Sequence, residues 1–286
     1  MHAATAPPID APQASAAELA RWLQARRHVA VITGAGVSTD SGIPDYRDAD
    51  GQWKRSAPMT HQQFTRNTHA RQRYWVRSFA GWRHFSSALP NAAHRAFATL
   101  EQRGLITSIV TQNVDGLHER AGSRAVIDLH GRLDRVVCLN CGYSQPRDEL
   151  QRQMAALNPG WADRTDLIAP DGDADIEGVD FDAFRVPPCP RCGGLLKPDV
   201  VYYGGLVPAA WRAQADAAIA AADGVLVVGS SLMVWSSFRL VRAAVARGVS
   251  VAAVNRGRTR ADDLLAFKVA GDCGAALQQT LEALAP

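Results

Sequence analysis

The chain has 286 residues, and 47% of them are hydrophobic, so it can bury the core of one large domain or two modest ones. Its formal net charge of +3 is small and gives no general argument for binding to nucleic acid or to a membrane. No apolar run reaches the length that spans a bilayer, and residues 1–13 lack the pattern of a secretory signal.

These features lead us to expect a cytoplasmic protein. Ala is abundant and Arg greatly outnumbers Lys, which is typical of GC-rich coding and favours a bacterial origin. In a eukaryote the mitochondrial matrix would be the corresponding compartment. The Ala- and Pro-rich residues 1–14 are expected to be a disordered N-terminal segment.

From residue 15 onward, helical and strand-like patterns alternate along the chain. Helical spacing covers residues 15–27, 91–103, 209–222, 236–247 and 275–284. Strand-like apolar runs cover residues 28–33, 105–111, 125–129, 225–229 and 250–255. Runs that are apolar throughout are typical of strands covered by helices on both faces. We therefore predict an α/β fold with a Rossmann-like, doubly wound parallel sheet.

Two segments interrupt this alternation. Residues 42–90 mix Pro, Gly and Trp with polar residues and are interpreted as a helical insertion. Residues 131–197 contain four of the five cysteines and are interpreted as a small inserted module. The predicted division is a Rossmann-like lobe of residues 15–130 and 198–286 with a module of residues 131–197 between its halves. The acidic residues 171–175 are expected to form a solvated loop, because the Gly and Glu of a calcium loop are not at the required spacing.

A Gly-rich segment follows the first apolar run. Gly34 and Gly36 allow a sharp turn and a close approach to a ligand, and a strand, a Gly-rich turn and a helix start together can hold a dinucleotide pyrophosphate. Thr39 stands where the third Gly of the usual Gly-x-Gly-x-x-Gly pattern belongs, so the alternative of a plain tight connection stays open. A plain turn would not need the charged and polar residues that follow, which are Asp45, Tyr46, Arg47 and Asp48.

Further polar residues follow the other apolar runs, where parallel sheets bind their ligands. Gln112, Asn113 and Asp115 come after one run, and either of the last two could instead cap a helix. His130 follows the next run and is a candidate general base, with a structural role as the alternative. The segments after the last two runs offer small polar groups for phosphate or ribose, namely Gly229, Ser230, Ser231, Asn255, Arg256 and Gly257.

The cysteines form two Cys-x-x-Cys pairs, each followed by Gly. In a reducing compartment such pairs favour a metal site over disulfides. Four thiolates leave no open coordination position, so we predict one structural Zn²⁺ ion. Two unrelated reduced pairs are the alternative, and the predicted ligands are Cys138, Cys141, Cys189 and Cys192.

Taken together, these motifs resemble the sirtuin family of NAD-dependent protein deacylases. The matching segments, in the order of the family, begin at Gly34, Ser41, Thr111, Leu129, Leu196, Gly229 and Val254, and the two Cys pairs lie between them. The segments Arg71-Gln-Arg-Tyr-Trp75 and Gly81-Trp82 look like the class II branch of that family.

The resemblance implies that NAD lies along the edge of the Rossmann-like lobe, beside the zinc module. Gly34, Ala35 and Gly36 would hold the pyrophosphate, and Ser38 and Gly229 are further cofactor-binding candidates. Asp45 and Arg47 would lie near the nicotinamide and phosphates, and Tyr46 would help to shield the reacting ribose carbon from water. The pocket of the nicotinamide ribose would be lined by Gln112, Asn113 and Asp115. The adenosine half would contact Ser230, Asn255 and Cys273, and Ser231, Arg256 and Gly257 are further cofactor-binding candidates.

The implied activity is removal of an acyl group from a lysine side chain of a protein. The acyl group moves to ADP-ribose and nicotinamide is released, with His130, Asn113 and Asp115 as catalytic residues. The substrate peptide would pair with residues 200–203 and 232–234. The implied partners are acylated-lysine proteins as substrates, with no nucleic acid and no membrane, and the enzyme is expected to be a monomer.

Two other functions remain open at this point. The same site could transfer ADP-ribose to a protein, or the chain could be a non-enzymatic NAD- and zinc-binding module. The preferred acyl chain is open as well. A dicarboxylic acyl group would need a basic residue in its pocket, and the nearest candidates are Arg71, Arg73 and Arg77.

Overall fold

The computed structural model describes residues 10–48, 50, 52–54, 58–161 and 181–284. The strands are β1 Val29–Thr33, β2 Ser108–Thr111, β3 Val126–Asp128, β4 Gly131–Cys138, β5 Ser144–Pro146, β6 Leu196–Val200, β7 Gly224–Val228, β8 Ser250–Val254 and β9 Phe267–Val269. The α-helices are α1 Ala16–Gln24, α2 His61–Arg66, α3 Thr68–Ser87, α4 Ala92–Gln102, α5 Leu117–Arg120, α6 Arg147–Leu157, α7 Ala209–Ala221, α8 Trp235–Ala246 and α9 Cys273–Ala283. None of the described helices combines the length and the apolar character needed to cross a membrane.

Six strands form a parallel sheet in the order β3-β2-β1-β7-β8-β9. Alternate residues of the buried strands face opposite sides, where they pack into two separate cores. Helices α1, α4 and α9 cover one face, and α7 and α8 cover the other. The predicted doubly wound α/β fold is therefore confirmed.

Some helices begin at residues whose side chains cap them. Ser15 and Glu18 form a reciprocal capping box at the start of α1, in which each side chain accepts from the backbone N–H of the other residue. Asn91 caps α4, and its side chain also donates to the carbonyl oxygen of Val37 at 2.8 Å. This second contact fixes α4 to the loop that follows β1.

The order of the strands creates a switch point at the centre of the sheet. From β1 the chain moves outward to β2 and β3 on one side, and it later returns to build β7, β8 and β9 on the other side. In the register, Thr33 at the end of β1 lies beside both Thr111 and Val228. The loops after β1 and β7 therefore leave the sheet in opposite directions and open a crevice in which α/β proteins bind ligands.

Some details differ from the sequence-based expectation. The backbone N–H of Ala14 donates to the carbonyl oxygen of Lys268 at 2.9 Å, so residues 12–14 pair with β9. We had expected these residues to be disordered. Strand β9 was not predicted, because the segment is short and contains Lys268, which is buried only through its ion pair with Asp262 at 2.9 Å. Residues 1–9 and the acidic residues 171–175 lie outside the described part of the chain.

The cysteine-containing segment forms a second, antiparallel sheet in the order β5-β4-β6, with α6 packed against it. Its apolar residues share one core with α3 from the helical insertion. The fully buried Arg147 of α6 lies 4.8 Å from the ring centroid of Trp82 and donates to the carbonyl oxygen of Ser78 at 3.3 Å. Burial lowers the pKa of Arg147 to about 10. The insertion and the cysteine module are thus packed as one unit beside the crevice.

Candidate active site

Close glycine contacts line the crevice at the switch point. The N–H of Gly36 donates to the carbonyl oxygen of Gly229 at 2.9 Å, and the N–H of Gly34 donates to that of Val228 at 3.2 Å. A Cβ at either Gly34 or Gly36 would lie 2.9 Å from the Gly229 oxygen, so any side chain there would force the loops after β1 and β7 apart. The two loops can meet only with bare backbone, which a phosphate group can approach closely.

The chain after Gly34 forms two short 3-10 turns, Ala35–Val37 and Thr39–Ser41, and not the start of an α-helix that we expected. Gly42 has a left-handed backbone with φ of 82° and Pro44 follows it, so the turn cannot extend into a longer helix. An anion bound here would be held by local N–H groups and not by a long helix dipole.

A polar network joins this turn to the loop after β2. The Ser38 hydroxyl donates to Oδ2 of Asp115 at 2.7 Å and accepts from the Asn113 side-chain amide at 2.9 Å. The same amide donates to the carbonyl oxygen of Gly34 at 3.1 Å. Burial raises the pKa of Asp115, although hydrogen bonds from Leu117 and Ser38 act in the opposite direction. A buried acid with a raised pKa is typical of a functional site.

Asp115 also has the capping role that the sequence left open. Its Oδ1 accepts a hydrogen bond from the backbone N–H of Leu117, at the start of α5, at 2.9 Å. One oxygen of Asp115 therefore fixes the helix while the other belongs to the polar network, so the carboxylate has little freedom to turn.

His130 lies in the turn between β3 and β4 and reaches the same crevice. Its Nδ1 faces the carbonyl oxygen of Gln112 at 3.2 Å, and its Nε2 lies 2.7 Å from the Ser236 hydroxyl. A carbonyl oxygen only accepts, so Nδ1 carries the proton and Nε2 accepts from Ser236. Burial lowers the pKa of His130 to about 4, which keeps the ring neutral near pH 7. The ring is therefore prepared to accept a proton at Nε2.

Gln112 connects the strand ends that form the crevice. Its side-chain amide donates to Ser230 at 2.7 Å and to the carbonyl oxygen of Thr33 at 3.2 Å. Its side-chain oxygen accepts from Ser237 of α8 at 2.9 Å. One side chain thus links the ends of β1 and β7 with the first turn of α8.

The segment containing Asp45, Tyr46 and Arg47 forms one wall at the mouth of the crevice. Asp45 pairs with Lys54 at 2.5 Å, and the Arg47 guanidinium lies 3.7 Å from the ring centroid of Trp53. The rings of Tyr46, Trp53 and Tyr203 all pack edge-to-face against one another. These contacts give the mouth of the crevice an aromatic wall with two cations beside it.

The opposite end of the crevice contains the predicted adenosine residues. Asn255 donates to the carbonyl oxygen of Gly257 at 2.9 Å, and Arg256 pairs with Asp272 at 3.0 Å. Burial raises the pKa of the Cys273 thiol to about 12. A thiol with that pKa is a poor nucleophile, so Cys273 is suited to packing against a ligand and not to attacking one.

These groups line one cavity of about 1510 Å³, which exceeds the usual volume of a small-molecule pocket and leaves room for a dinucleotide and a second substrate. The sequence-predicted residues on its wall are Gly34, Ala35, Gly36, Ser38, Asp45, Tyr46, Arg47, Gln112, Asn113, Asp115, His130, Gly229, Ser230, Ser231, Asn255, Arg256, Gly257 and Cys273.

The cavity also contacts most of the two segments that were expected to pair with a peptide. Residues 200–203 line it, as do Met233 and Val234, whereas Leu232 is buried beneath them. Arg71, Arg73 and Arg77 are not part of the described wall, and Arg71 is directed toward the carbonyl oxygen of Phe64 at 2.9 Å.

Sequence reasoning missed the residues that orient the predicted site from α8. Ser236 contacts His130 and Ser237 contacts Gln112, yet both belong to a helix more than 100 positions away in the chain. The one sequence feature that could have indicated them is the pair of adjacent serines in the first turn of the helix that follows β7. Lys54, the partner of Asp45, was also missed.

The four cysteines of the two pairs come together as predicted. Their sulfur atoms all lie within 4.8 Å of one another, with 3.6 Å between Cys138 and Cys192 and 3.7 Å between Cys141 and Cys189. A tetrahedral site with Zn–S bonds of about 2.3 Å has sulfur atoms about 3.8 Å apart, so the spacing fits zinc. Each pair forms a tight knuckle, in which the Gly after the second Cys donates to the carbonyl oxygen of the first.

Comparisons with known proteins agree with this geometry. The sequence profile described as the Sir2 family matches residues 34–236. A relative from Bordetella bronchiseptica named NAD-dependent protein deacetylase is 56% identical over 251 residues, which are 88% of this chain and 92% of the relative.

Two solved structures are similar over nearly the whole chain. One, described as Sir2 bound to acetylated peptide, has a TM-score of 0.75 at 27% identity and covers 94% of this chain and 98% of its own. Another, described as Sir2-p53 peptide-NAD+, has a TM-score of 0.70 at 27% identity, with coverage of 93% and 96%. The chain therefore belongs to the Sir2 family, the sirtuins.

Proposed function

We propose that this chain is an NAD-dependent protein deacetylase that transfers the acetyl group of an acetyl-lysine side chain to ADP-ribose and releases nicotinamide. The observation that carries the proposal is the neutral His130 ring, whose unprotonated Nε2 lies on the wall of the cavity shared with Asn113 and Asp115. The name of the Bordetella relative, at 56% identity over most of both chains, supports the same activity.

The residues of the cavity fit NAD. The backbone at Gly34, Ala35 and Gly36 would hold the pyrophosphate, and Arg47 would lie near the phosphates. Asn255 and Cys273 would contact the adenosine half. Bound NAD would supply the ribose carbon that gives up nicotinamide and receives the acetyl oxygen. The hydrogen-bonded network of Ser38, Asn113 and Asp115 would hold the nicotinamide ribose in place.

His130 would act as the general base. The hydroxyl of Ser236 now donates to Nε2, and a ribose hydroxyl of the substrate would take that place and give up its proton to Nε2. The hydrogen bond from Nδ1–H to the carbonyl oxygen of Gln112 holds the single N–H proton of the neutral ring at Nδ1, which preserves Nε2 as the acceptor. The neutral ring at pH 7 makes the group available over a wide pH range.

The acetyl-lysine peptide would lie between residues 200–203 and residues 233–234, which line the mouth of the cavity. Val200 ends the outer strand β6, and an extended peptide could continue that sheet. The solved Sir2 structures described with an acetylated peptide and with a peptide and NAD+ support a joint site for the two substrates.

We also propose membership of the class II branch, from the segments around Trp75 and Trp82. In the structure these two residues belong to the core that joins the helical insertion to the cysteine module. A cytoplasmic location suits a protein that uses four reduced cysteines for zinc and has a bacterial relative of high identity. A monomer with a Rossmann-like lobe and a zinc lobe of residues 131–197 completes the proposal, and sedimentation analysis tests the monomer.

The deciding experiment incubates the purified protein with NAD and an acetyl-lysine peptide and follows both by mass spectrometry. Deacetylation removes the mass of one acetyl group from the peptide and produces nicotinamide and O-acetyl-ADP-ribose. Samples without NAD, and with an unacetylated peptide, are the controls. A gain of one ADP-ribose mass on protein or peptide without loss of acetyl would replace the proposal with ADP-ribosyl transfer. An unchanged peptide, with NAD consumed or not, would refute it.

A further inference from the structure

The turn that contains His130 is attached to the loop of residues 112–116 by backbone hydrogen bonds. Leu129 donates to the carbonyl oxygen of Thr111 and Leu133 donates to that of Val114, both at 2.9 Å. The first bond precedes His130 and the second follows it. The position of the His130 ring relative to Asn113 and Asp115 therefore depends on how firmly the two segments are joined.

Arg132, two residues after His130, adds a side-chain connection at this junction. Its Nη1 lies 2.5 Å from Oε1 of Glu119 in α5, and its Nη2 lies 2.6 Å from Oδ2 of Asp134 in β4. Nη1 is also 3.8 Å from Oδ2 of Asp128 at the end of β3. The side chain is only 16% exposed, so these pairs are partly shielded from solvent.

The loop is shaped to receive this guanidinium. Gly116 has a left-handed backbone with φ of 69°, and a Cβ at that position would overlap Nη2 and Cζ of Arg132. Gly116 is therefore required both by its backbone conformation and by the side chain that packs on it. It directly follows Asp115, so Arg132 rests against the end of the loop that contains the proposed catalytic residues.

The acids around Arg132 outnumber it. Within the described residues, Oε2 of Glu119 and Oδ1 of Asp128 are buried and accept no hydrogen bond. Burial raises the pKa of Asp128 to about 7, Glu119 and Asp134 add to the rise, and Arg132 and Arg135 oppose it. Without Arg132, ionised carboxylates from α5, β3 and β4 would face one another in a partly buried space.

We infer that Arg132 is a positioning residue for deacetylation. By pairing with Glu119 and resting on Gly116, it holds the loop of residues 112–116 against the His130 turn and sets the placement of His130 relative to Asn113 and Asp115. This inference rests on the proposed function, since it assigns to Arg132 the support of that catalytic group.

The test compares Arg132→Met and Arg132→Lys with Arg135→Met. Arg135 is the control, because it lies on the same strand and pairs with Asp199 at 3.3 Å, and no hydrogen bond or ion pair of its side chain among the described residues reaches α5 or the loop. Its charge also acts on Asp128, so the control removes one cation near the acids but not the side chain that rests on the loop. Arg132→Met is expected to lower kcat about 10- to 100-fold, the cost of a small misplacement of catalytic groups, while KM for the peptide changes less. The kcat of Arg132→Lys is expected to lie between those of the native protein and Arg132→Met, because one ammonium cannot bridge two carboxylates as a guanidinium does.

The pH dependence separates positioning from a general loss of stability. Arg132 opposes the raised pKa of Asp128, so in Arg132→Met Asp128 should be ionised at about pH 8.5, where it repels the neighbouring carboxylates, and increasingly protonated at about pH 6. The defect in kcat should therefore shrink on acidification. Zinc content and melting temperature, measured on each variant, report whether the fold is intact. A defect that is the same at both pH values and follows the melting temperature would overturn the inference, as would a kcat equal to that of Arg135→Met.

An activity-independent readout separates this inference from the proposed function. Nitrogen NMR of the His130 ring, identified by the signal that His130→Ala removes, reports which ring nitrogen carries the proton. The native protein should show Nδ1–H, and Arg132→Met should show a mixture of tautomers because the bond to Gln112 is loosened. An unchanged Nδ1–H signal in Arg132→Met refutes the inference even if the protein proves not to be a deacetylase.

Discussion

The Ser236 hydroxyl donates to Nε2 of His130 at 2.7 Å, although the two residues are 106 positions apart in the chain. Ser236 comes from the first turn of α8, on the β7 side of the switch point, and His130 comes from the β3 side. In the structure the serine marks the position where another hydroxyl group can bind to the base. The bond also helps to fix the orientation of this buried imidazole, which forms no ion pair with a carboxylate among the described residues.

This relationship predicts different effects for the two residues. His130→Ala should lower kcat for deacetylation about 100-fold or more, the usual contribution of a general base, with NAD binding nearly unchanged. Ser236→Ala should lower kcat only a few-fold, because Gln112 still fixes the ring through Nδ1. Steady-state kinetics with an acetylated peptide and calorimetric titration with NAD measure both effects. A His130→Ala enzyme with native kcat would exclude His130 as the base.

Much of the sheet could be predicted from sequence because its strands are buried on both faces and are apolar throughout. The run Val225-Leu-Val-Val228, for example, has no polar side chain to face water, and all four of its residues are fully buried. Strand β9 could not be predicted in this way, since the burial of Lys268 depends on Asp262, a residue outside the strand. The α-helix that we expected after Gly36 does not form, because Gly42 has a left-handed backbone and Pro44 stands two residues later.

The candidate site also contains residues that could be predicted from sequence and residues that could not. Residues that directly follow a strand, such as Asn113 and Asp115, could be singled out because parallel strands end at one edge of the sheet. The contact of Ser236 depends on the packing of α8, which is distant from His130 in the chain, and those of Arg132 depend on how α5, β3 and β4 pack together. Neither residue follows a recognisable spacing. The packing of α3 on the cysteine module could not be predicted either, since the apolar positions of α3 can be read from the sequence but the surface that covers them cannot.

The close approach of the two Gly-rich loops predicts a binding defect in Gly36→Ala. The new Cβ would lie 2.9 Å from the Gly229 carbonyl oxygen, so the loops must separate and the pyrophosphate site should be distorted. We expect NAD affinity to fall about tenfold or more. Gly274→Ala is the control, because its Cβ would meet no atom closer than 3.3 Å and it lies within α9. Equal NAD affinities of the two variants in calorimetry would contradict the prediction.

The cysteine cluster predicts a structural metal. Cys141→Ser should lower the zinc content below one ion per chain and unfold the module, since metal binding contributes folding free energy to such sites. The melting temperature should fall, and α3 should be exposed to proteolysis because it shares the core of the module. Cys273→Ser is the matched control, as Cys273 lies outside the cluster and should keep the full zinc content. Elemental analysis that finds no zinc in the native protein would disprove the site.

Buried neutral histidines predict that the protein loses stability in mild acid. Burial lowers the pKa of His94 to about 4, and its Nε2 is buried without a hydrogen-bond partner among the described residues. An unfolded His takes up its proton near pH 6.5. The unfolded state therefore binds more protons between these values, so the stability that His94 confers is complete above about pH 6.5 and is lost as the pH falls toward 4.

His94→Asn isolates this contribution. The Asn oxygen can replace Nδ1 as the acceptor for the backbone N–H of Asn91, while the titrating group is removed. Between about pH 7.5 and 5 the native free energy of unfolding should fall by about 2 kcal/mol more than that of the variant, as measured by urea titration. The opposite pH effect of Asp128, whose pKa is raised to about 7, is common to both proteins and cancels. The difference should persist at about 0.5 M salt because its cause is burial and not a charge pair. If the two proteins lose stability in parallel, His94 does not titrate in this range.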